Sequence, residues 1–151
     1  MSAIITVLNG PNLNFLGRRE PEIYGSETLE DIEKSCKDYA INLGITVQFY
    51  QSNYEGQLIE WIQAATGVSA GLIINPAAYS HTSLAILDAL KMFSGLIVEV
   101  HLSNIYQRES FRHHSYISMG VDAVIVGCGG EGYLFALNYI AKRLKCGVKK
   151  A

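Results

Sequence analysis

The chain carries little from which to build a metal or redox centre. Its three cysteines, Cys36, Cys128 and Cys146, are widely spaced and odd in number. No Cys-x-x-Cys occurs, which argues against a zinc knuckle or a dithiol pair and fits a reduced, cytosolic setting. No apolar run approaches the ~20 residues that a membrane helix needs. The opening MSAIITVLNG has no basic segment and passes straight into a strand pattern, so no signal peptide is expected. A Walker A sequence is missing. No lysine stands at the end of a strand pattern, which leaves a Schiff-base mechanism without a candidate. Charge is also sparse. Charged residues make up 17% of the chain and the formal net charge is −2, so neither nucleic acid nor an anionic membrane is an expected partner.

What is present is a core. Hydrophobic residues make up 49% of the 151 positions, enough for one folded domain and too short a chain for two. Ala3–Leu8, Ile45–Tyr50, Gly71–Ile74, Leu96–Val100 and Ala123–Val126 read as five short strands. Several are continuous β-branched runs, as in a parallel sheet covered on both faces. Helix patterns lie between them. Leu29, Ile32, Cys36, Ala40 and Leu43 share one face, opened by the box-like Thr28–Asp31 and stopped at Gly44. Leu58, Ile62 and Ala65 mark a second helix. Leu84, Leu87 and Leu90 mark a third, expected to start near Ser80 or His81. Leu134, Leu137, Ala141 and Leu144 mark the last. This alternation predicts an α/β doubly wound, flavodoxin-like fold with strand order 2-1-3-4-5 and helices on both faces. Ligands of such folds bind beyond the carboxyl ends of the strands, so the segments after strands 1, 3 and 4 are the ones to inspect.

The connection after strand 1, Asn9 to Gly25, is long for a βα loop. Glycines flank an Arg18-Arg19-Glu20-Pro21-x-x-Tyr24 run, which suggests a hinged lid or, alternatively, a surface loop with a packed tyrosine. After strand 3 comes Asn75-Pro-Ala-Ala-Tyr-Ser-His81-Thr-Ser83. A helix starting there would favour an anion at its free N–H groups, with Asn75 and His81 either adding donors or serving as structural hydrogen-bonders. After strand 4, Glu99 and His101 are two residues apart and point to one face. A carboxylate beside an imidazole raises its basicity and orients it, so the pair reads as a general acid or as a buried structural contact. Arg108 and Arg112 follow. His113-His114 is a weak metal signal, because adjacent side chains diverge on a regular element. Gly127-Cys-Gly129-Gly-Glu-Gly132 fits GxGxxG, but it lies in the last βα unit with no strand and no acidic ribose partner after it, so tight-turn glycines are the better reading. Asn9-Gly10 lacks the acidic cluster that a phospho-receiver needs to hold Mg²⁺.

Together these segments resemble the type II 3-dehydroquinate dehydratases. The pattern GPNLN-x-LG-x-REP-x-x-YG is matched from Gly10 to Gly25, and Asn-Pro-x-x-Tyr-x-His-Thr-Ser from Asn75 to Ser83. Glu-Val-His-Leu-Ser-Asn with Arg-x-x-x-Arg-His-His is matched from Glu99 to His114, and Val-Gly-x-Gly-x-x-Gly-Tyr from Val126 to Tyr133. Ala77 and Ser80 stand where glycine and threonine are usual, and Phe15 where leucine is usual. The resemblance implies a cofactor-free dehydration of 3-dehydroquinate, with no metal. In it Tyr24 abstracts the C2 proton, Arg19 favours its phenolate, Asn12 helps hold a water at the enolate oxygen, and His101, oriented by Glu99, protonates the departing hydroxyl. Asn75, His81, the backbone amides of Leu102 and Ser103, and Arg112 hold the substrate. Arg108 closes with the lid, and Asp88 reaches a neighbouring subunit's site. It further implies a homo-oligomer, a dodecamer built from trimers. A non-catalytic flavodoxin-like module binding a small anion or nucleotide is the competing reading; it needs Asn75 and the arginines but not Tyr24, Glu99 and His101 together. A nucleotide-dependent oxidoreductase rests on the GxGxxG alone.

Overall fold

The computed structural model describes residues 2–18, 20, 22, 25–145 and 147. Among these residues, β1 (Ala3–Asn9), β2 (Ile45–Gln51), β3 (Gly71–Asn75), β4 (Leu96–His101) and β5 (Ala123–Val126) form one all-parallel sheet in the order β2-β1-β3-β4-β5. The expected topology is therefore the observed one. Each of β1 to β4 runs one residue beyond its apolar pattern, and the added residue is polar: Asn9, Gln51, Asn75 and His101. Asn9 is paired in register with both Gln51 and Asn75, and His101 with Val126, so the ladder carries these side chains to the sheet's carboxyl edge.

Alternation along the strands divides the core in two. Ile5, Val7, Ile73, Val98 and Val100 face helices α1 (Leu29–Leu43) and α4 (Glu131–Lys145). Leu8, Leu72, Ile74 and Ile97 face α2 (Glu55–Ala65) and α3 (Leu84–Lys91). On β4 the second set continues into Glu99 and His101, two charge-bearing residues on an otherwise apolar face. Helix α1 begins as its sequence suggests. Thr28 Oγ1 accepts from the Asp31 amide at 3.1 Å, and Asp31 Oδ2 accepts from the Thr28 amide at 3.0 Å. Such a cap contributes roughly 1 kcal/mol. It ends at Gly44, whose φ of 70° is open to glycine at no steric cost.

The third helix departs from expectation. Residues Ala77–His81 form a 3-10 turn, and α3 starts only at Leu84, where Ser83 Oγ accepts from the Ile86 amide at 2.9 Å. The serine cap two residues beyond His81 satisfies the helix start, so His81 ends the turn rather than opening the helix. Leu84 is consequently exposed, while Leu87 and Leu90 are buried. No described helix is long and apolar enough to cross a membrane.

Candidate active site

Three strand ends meet to make a cavity of about 220 Å³. From β1 comes the loop holding Asn12, Leu13 and Leu16; from β3 come Asn75, Ala77 and His81; from β4 come His101, Leu102, Ser103, Ile105, Arg108 and Arg112. The first two loops are pressed together. The Gly10 amide donates to the Asn75 carbonyl at 2.8 Å, and a Cβ on Gly10 would sit 2.5 Å from the Pro76 carbonyl oxygen, so no other residue fits there. The glycine motif after β5 braces the third loop. The Gly127 amide donates to the His101 carbonyl at 3.1 Å and the Gly129 amide to the Leu102 carbonyl at 2.9 Å, with φ values of 89° and 59°. These glycines are turn-formers, and their turn fixes the end of β4.

Glu99 is fully buried and His101 is 5% exposed. His101 Nε2 lies in hydrogen-bond contact with Glu99 Oε2. Ser115 Oγ donates to the same oxygen at 2.9 Å and Ser118 Oγ donates to Oε1 at 2.6 Å. Burial pushes the Glu99 carboxyl up, but the hydrogen bond and charge of His101 and the two serine hydroxyls outweigh it and hold the group below its ordinary range. An ionised carboxylate only accepts, so the imidazole carries a hydrogen on Nε2, and Nδ1 is the ring nitrogen not committed to Glu99. His101 forms the cavity wall, with Glu99 behind it. The pair is a buried contact, and it also places an imidazole in the wall of the cavity.

His81 Nδ1 lies 2.7 Å from the His114 carbonyl and therefore donates, leaving Nε2 as an acceptor in the neutral ring. Burial lowers the His81 pKa from its usual value, with the nearby His101 and Arg112 adding to the effect, against the raising influence of the His114 carbonyl and Glu99. Asn75 Oδ1 accepts from the Ala77 amide at 3.2 Å and its Nδ2 donates to Tyr133 Oη at 3.0 Å, so it is a structural hydrogen-bonder as well as part of the wall. Asn12 takes a left-handed φ of 70°, held by its amide donating to Asn53 Oδ1 at 3.0 Å. Arg112 Nε donates to Glu109 at 2.7 Å and its guanidinium lies 5.2 Å from the centre of the Phe111 ring. With Arg108 it gives the cavity a cationic side suited to an anion.

Asp88 is exposed on α3 and is not part of this wall. Tyr24 and Arg19 lie outside the described residues. Among the described residues no group of three or more His, Cys, Asp and Glu is placed to hold a metal ion, and His113 Nε2 lies 3.0 Å from the Arg108 carbonyl. Ser115, Ser118 and Asn53 carry no signal in the sequence, and Asn9 stands there only as a strand end. The serines follow His114 in a segment without periodicity, and only the packing of the 3-10 turn Ile117–Gly120 against β4 brings them to Glu99.

The model of the family described as dehydroquinase class II matches residues 3–141. The chain belongs to the class II dehydroquinase family. A 3-dehydroquinate dehydratase of Bartonella bacilliformis is 75% identical over 150 residues, covering 99% of this chain and 95% of that protein. The 3-dehydroquinate dehydratase of Streptomyces coelicolor is 56% identical over 151 residues, covering 99% and 96%. The crystal structure of type II dehydroquinase from Propionibacterium acnes superposes with a TM-score of 0.91 at 46% identity, covering 94% of this chain and 98% of that one. Against the family pattern, two departures acquire a structural meaning. Ala77 sits at φ 52°, a left-handed conformation that suits the glycine usual there. Ser80, in place of threonine, is fully buried and its hydroxyl has no hydrogen-bond partner among the described residues.

Proposed function

We propose that the chain is a type II 3-dehydroquinate dehydratase that eliminates water from 3-dehydroquinate through an enolate to give 3-dehydroshikimate. The observation that carries this reading is the Glu99–His101 pair: a serine-braced carboxylate behind an imidazole in the wall of a cavity with two arginines on one side. A non-catalytic anion-binding module has no use for such a pair.

The reaction asks for a base, an enolate stabiliser and an acid. Tyr24 takes the proton from C2. A free phenol has a pKa of ~10, so roughly one in a thousand is ionised at neutral pH; a cation within ~4–6 Å lowers the value by roughly 1–3 units. Arg19, five residues earlier in the same loop, is assigned that role. The charge that develops on the ketone oxygen is met by a water held with the help of Asn12, and a fixed donor of this kind typically contributes ~2.7–4 kcal/mol. Collapse of the enolate breaks the C1–O bond, and His101 delivers a proton from Nδ1 so that the hydroxyl leaves as water. The proton lost from C2 and the hydroxide lost from C1 balance as one water, and no electrons move to an acceptor, so the step calls for no redox cofactor. The substrate carboxylate and hydroxyls fall to Asn75, His81, the Leu102 and Ser103 amides, and Arg112, with Arg108 closing over them. Neutral His81, committed to donating from Nδ1, accepts a substrate hydroxyl at Nε2. Asp88 serves a neighbouring subunit in a dodecamer of trimers, which fits its exposure on α3 outside the cavity wall of its own chain.

Incubating the protein with 3-dehydroquinate alone and following ultraviolet absorbance tests the reading. The conjugated enone product absorbs where the substrate does not. No rise at any neutral-to-alkaline pH would end the enzymatic claim.

A further inference from the structure

We propose that Tyr133 is a positioning residue that fixes the polarity of the Asn75 side-chain amide, so that the cavity meets an N–H donor at that position rather than a carbonyl. This rests on the dehydratase reading only for its kinetic arm.

Tyr133 enters from the first turn of α4 and is fully buried among the core residues of that face, with its ring 6.3 Å from that of Phe49. Its hydroxyl lies between two asparagines on adjacent strand ends. It donates to Asn9 Oδ1 at 2.7 Å and accepts from Asn75 Nδ2 at 3.0 Å. An isolated amide pair could be arranged either way round. Here the direction of each bond is forced by the one before it. Asn9 Nδ2 must donate to the Tyr50 carbonyl at 2.9 Å, because a carbonyl only accepts. That turns Asn9 Oδ1 toward Tyr133, so the phenol must spend its single hydrogen there. The phenol is then left with lone pairs, so Asn75 must offer it Nδ2. The Ala77 amide, donating to Asn75 Oδ1 at 3.2 Å, closes the chain from the other side. The second hydrogen of Asn75 Nδ2 is left over, on a residue that forms part of the cavity wall. A backbone carbonyl on edge strand β2 thereby sets what β3 presents to a ligand, through β1 and α4. The reverse arrangement would set an amide oxygen against the Tyr50 carbonyl and an amide NH2 against the Ala77 N–H, breaking both end bonds of a relay whose two central bonds are buried, which keeps it from flipping. Burial pushes the Tyr133 phenol pKa up, so it keeps the hydrogen the relay needs.

Two measurements test this, each with Tyr133→Phe and with Asn9→Leu, which removes the acceptor that commits the phenol. The first reads the side-chain amide of Asn75 in protein labelled with 15N-asparagine, assigned by its loss in Asn75→Ala. The wild-type resonance should be protected from hydrogen exchange, and both variants should lose that protection. Unchanged protection in the variants overturns the proposal whatever the enzyme's activity. The second is a double-mutant cycle on 3-dehydroquinate turnover. Tyr133→Phe should lower kcat/KM on the order of 10-fold, mostly through KM. The same change made on top of Asn75→Ala should add less than about 2-fold. Additive losses would show that Tyr133 acts on packing alone, and also overturn it. Absence of turnover in the wild type would count against the dehydratase reading and leave the exchange measurement to decide on Tyr133.

Discussion

Ser118 donates its hydroxyl to Glu99 Oε1 across 2.6 Å, from a position 19 residues further along the chain. Together with Ser115 it gives both carboxylate oxygens a neutral donor, so the charge behind His101 survives complete burial. Because the folded-state pKa of Glu99 is depressed, its contribution to stability is present above the unfolded value of ~4.3 and is lost as pH falls through the folded value. Ser118→Ala should therefore cost about 1.5–3 kcal/mol at neutral pH and move the acid-unfolding midpoint to higher pH. Urea titrations at several pH values, read by circular dichroism, check both. An unmoved acid midpoint would mean that Ser118 does not keep Glu99 charged.

Tyr24→Phe should abolish turnover while leaving the melting temperature and ligand binding close to wild type. Arg19→Ala should lower kcat and shift the pKa of the base upward in the pH–rate profile. Retained turnover in the first variant would show that another group removes the proton. An unaltered profile in the second would remove the guanidinium from the argument.

His81 gives a pH signature of opposite character to an ordinary surface histidine. Its folded pKa lies below the unfolded ~6.5, so the unfolded chain takes up protons first as pH falls. The stability it confers is complete above ~6.5 and declines as pH drops toward the folded value. The difference in urea midpoint between wild type and His81→Gln should shrink from pH 7.5 to pH 5.5. A difference that grows on acidification would mean that the ring is charged in the native protein.

Ala77 occupies a backbone conformation that costs a residue with a Cβ about 1–2 kcal/mol, while glycine gives back roughly 0.5–1 kcal/mol in unfolded-state freedom. Ala77→Gly should raise stability by a net ~0.5–1 kcal/mol. Equilibrium denaturation measures it directly. A clear destabilisation would show that the methyl group packs in the cavity wall more favourably than its backbone is strained.

Sequence alone determined the strands, their order and two of the three helix boundaries it assigns, because β-branched runs, the Thr28 box and Gly44 act through neighbours a few residues away. It also placed Glu99 and His101 on one face, a consequence of strand period. It misplaced the start of α3 near Ser80 or His81, because only the packed turn Ala77–His81 passes the helix start on to the Ser83 cap. What surrounds Glu99, and which way the Asn75 amide turns, depend on groups 16, 19 and 58 residues away. Such contacts leave no local periodicity. They exist only once the sheet has closed and burial makes every unpaired polar atom costly, and so the tertiary structure alone decided them.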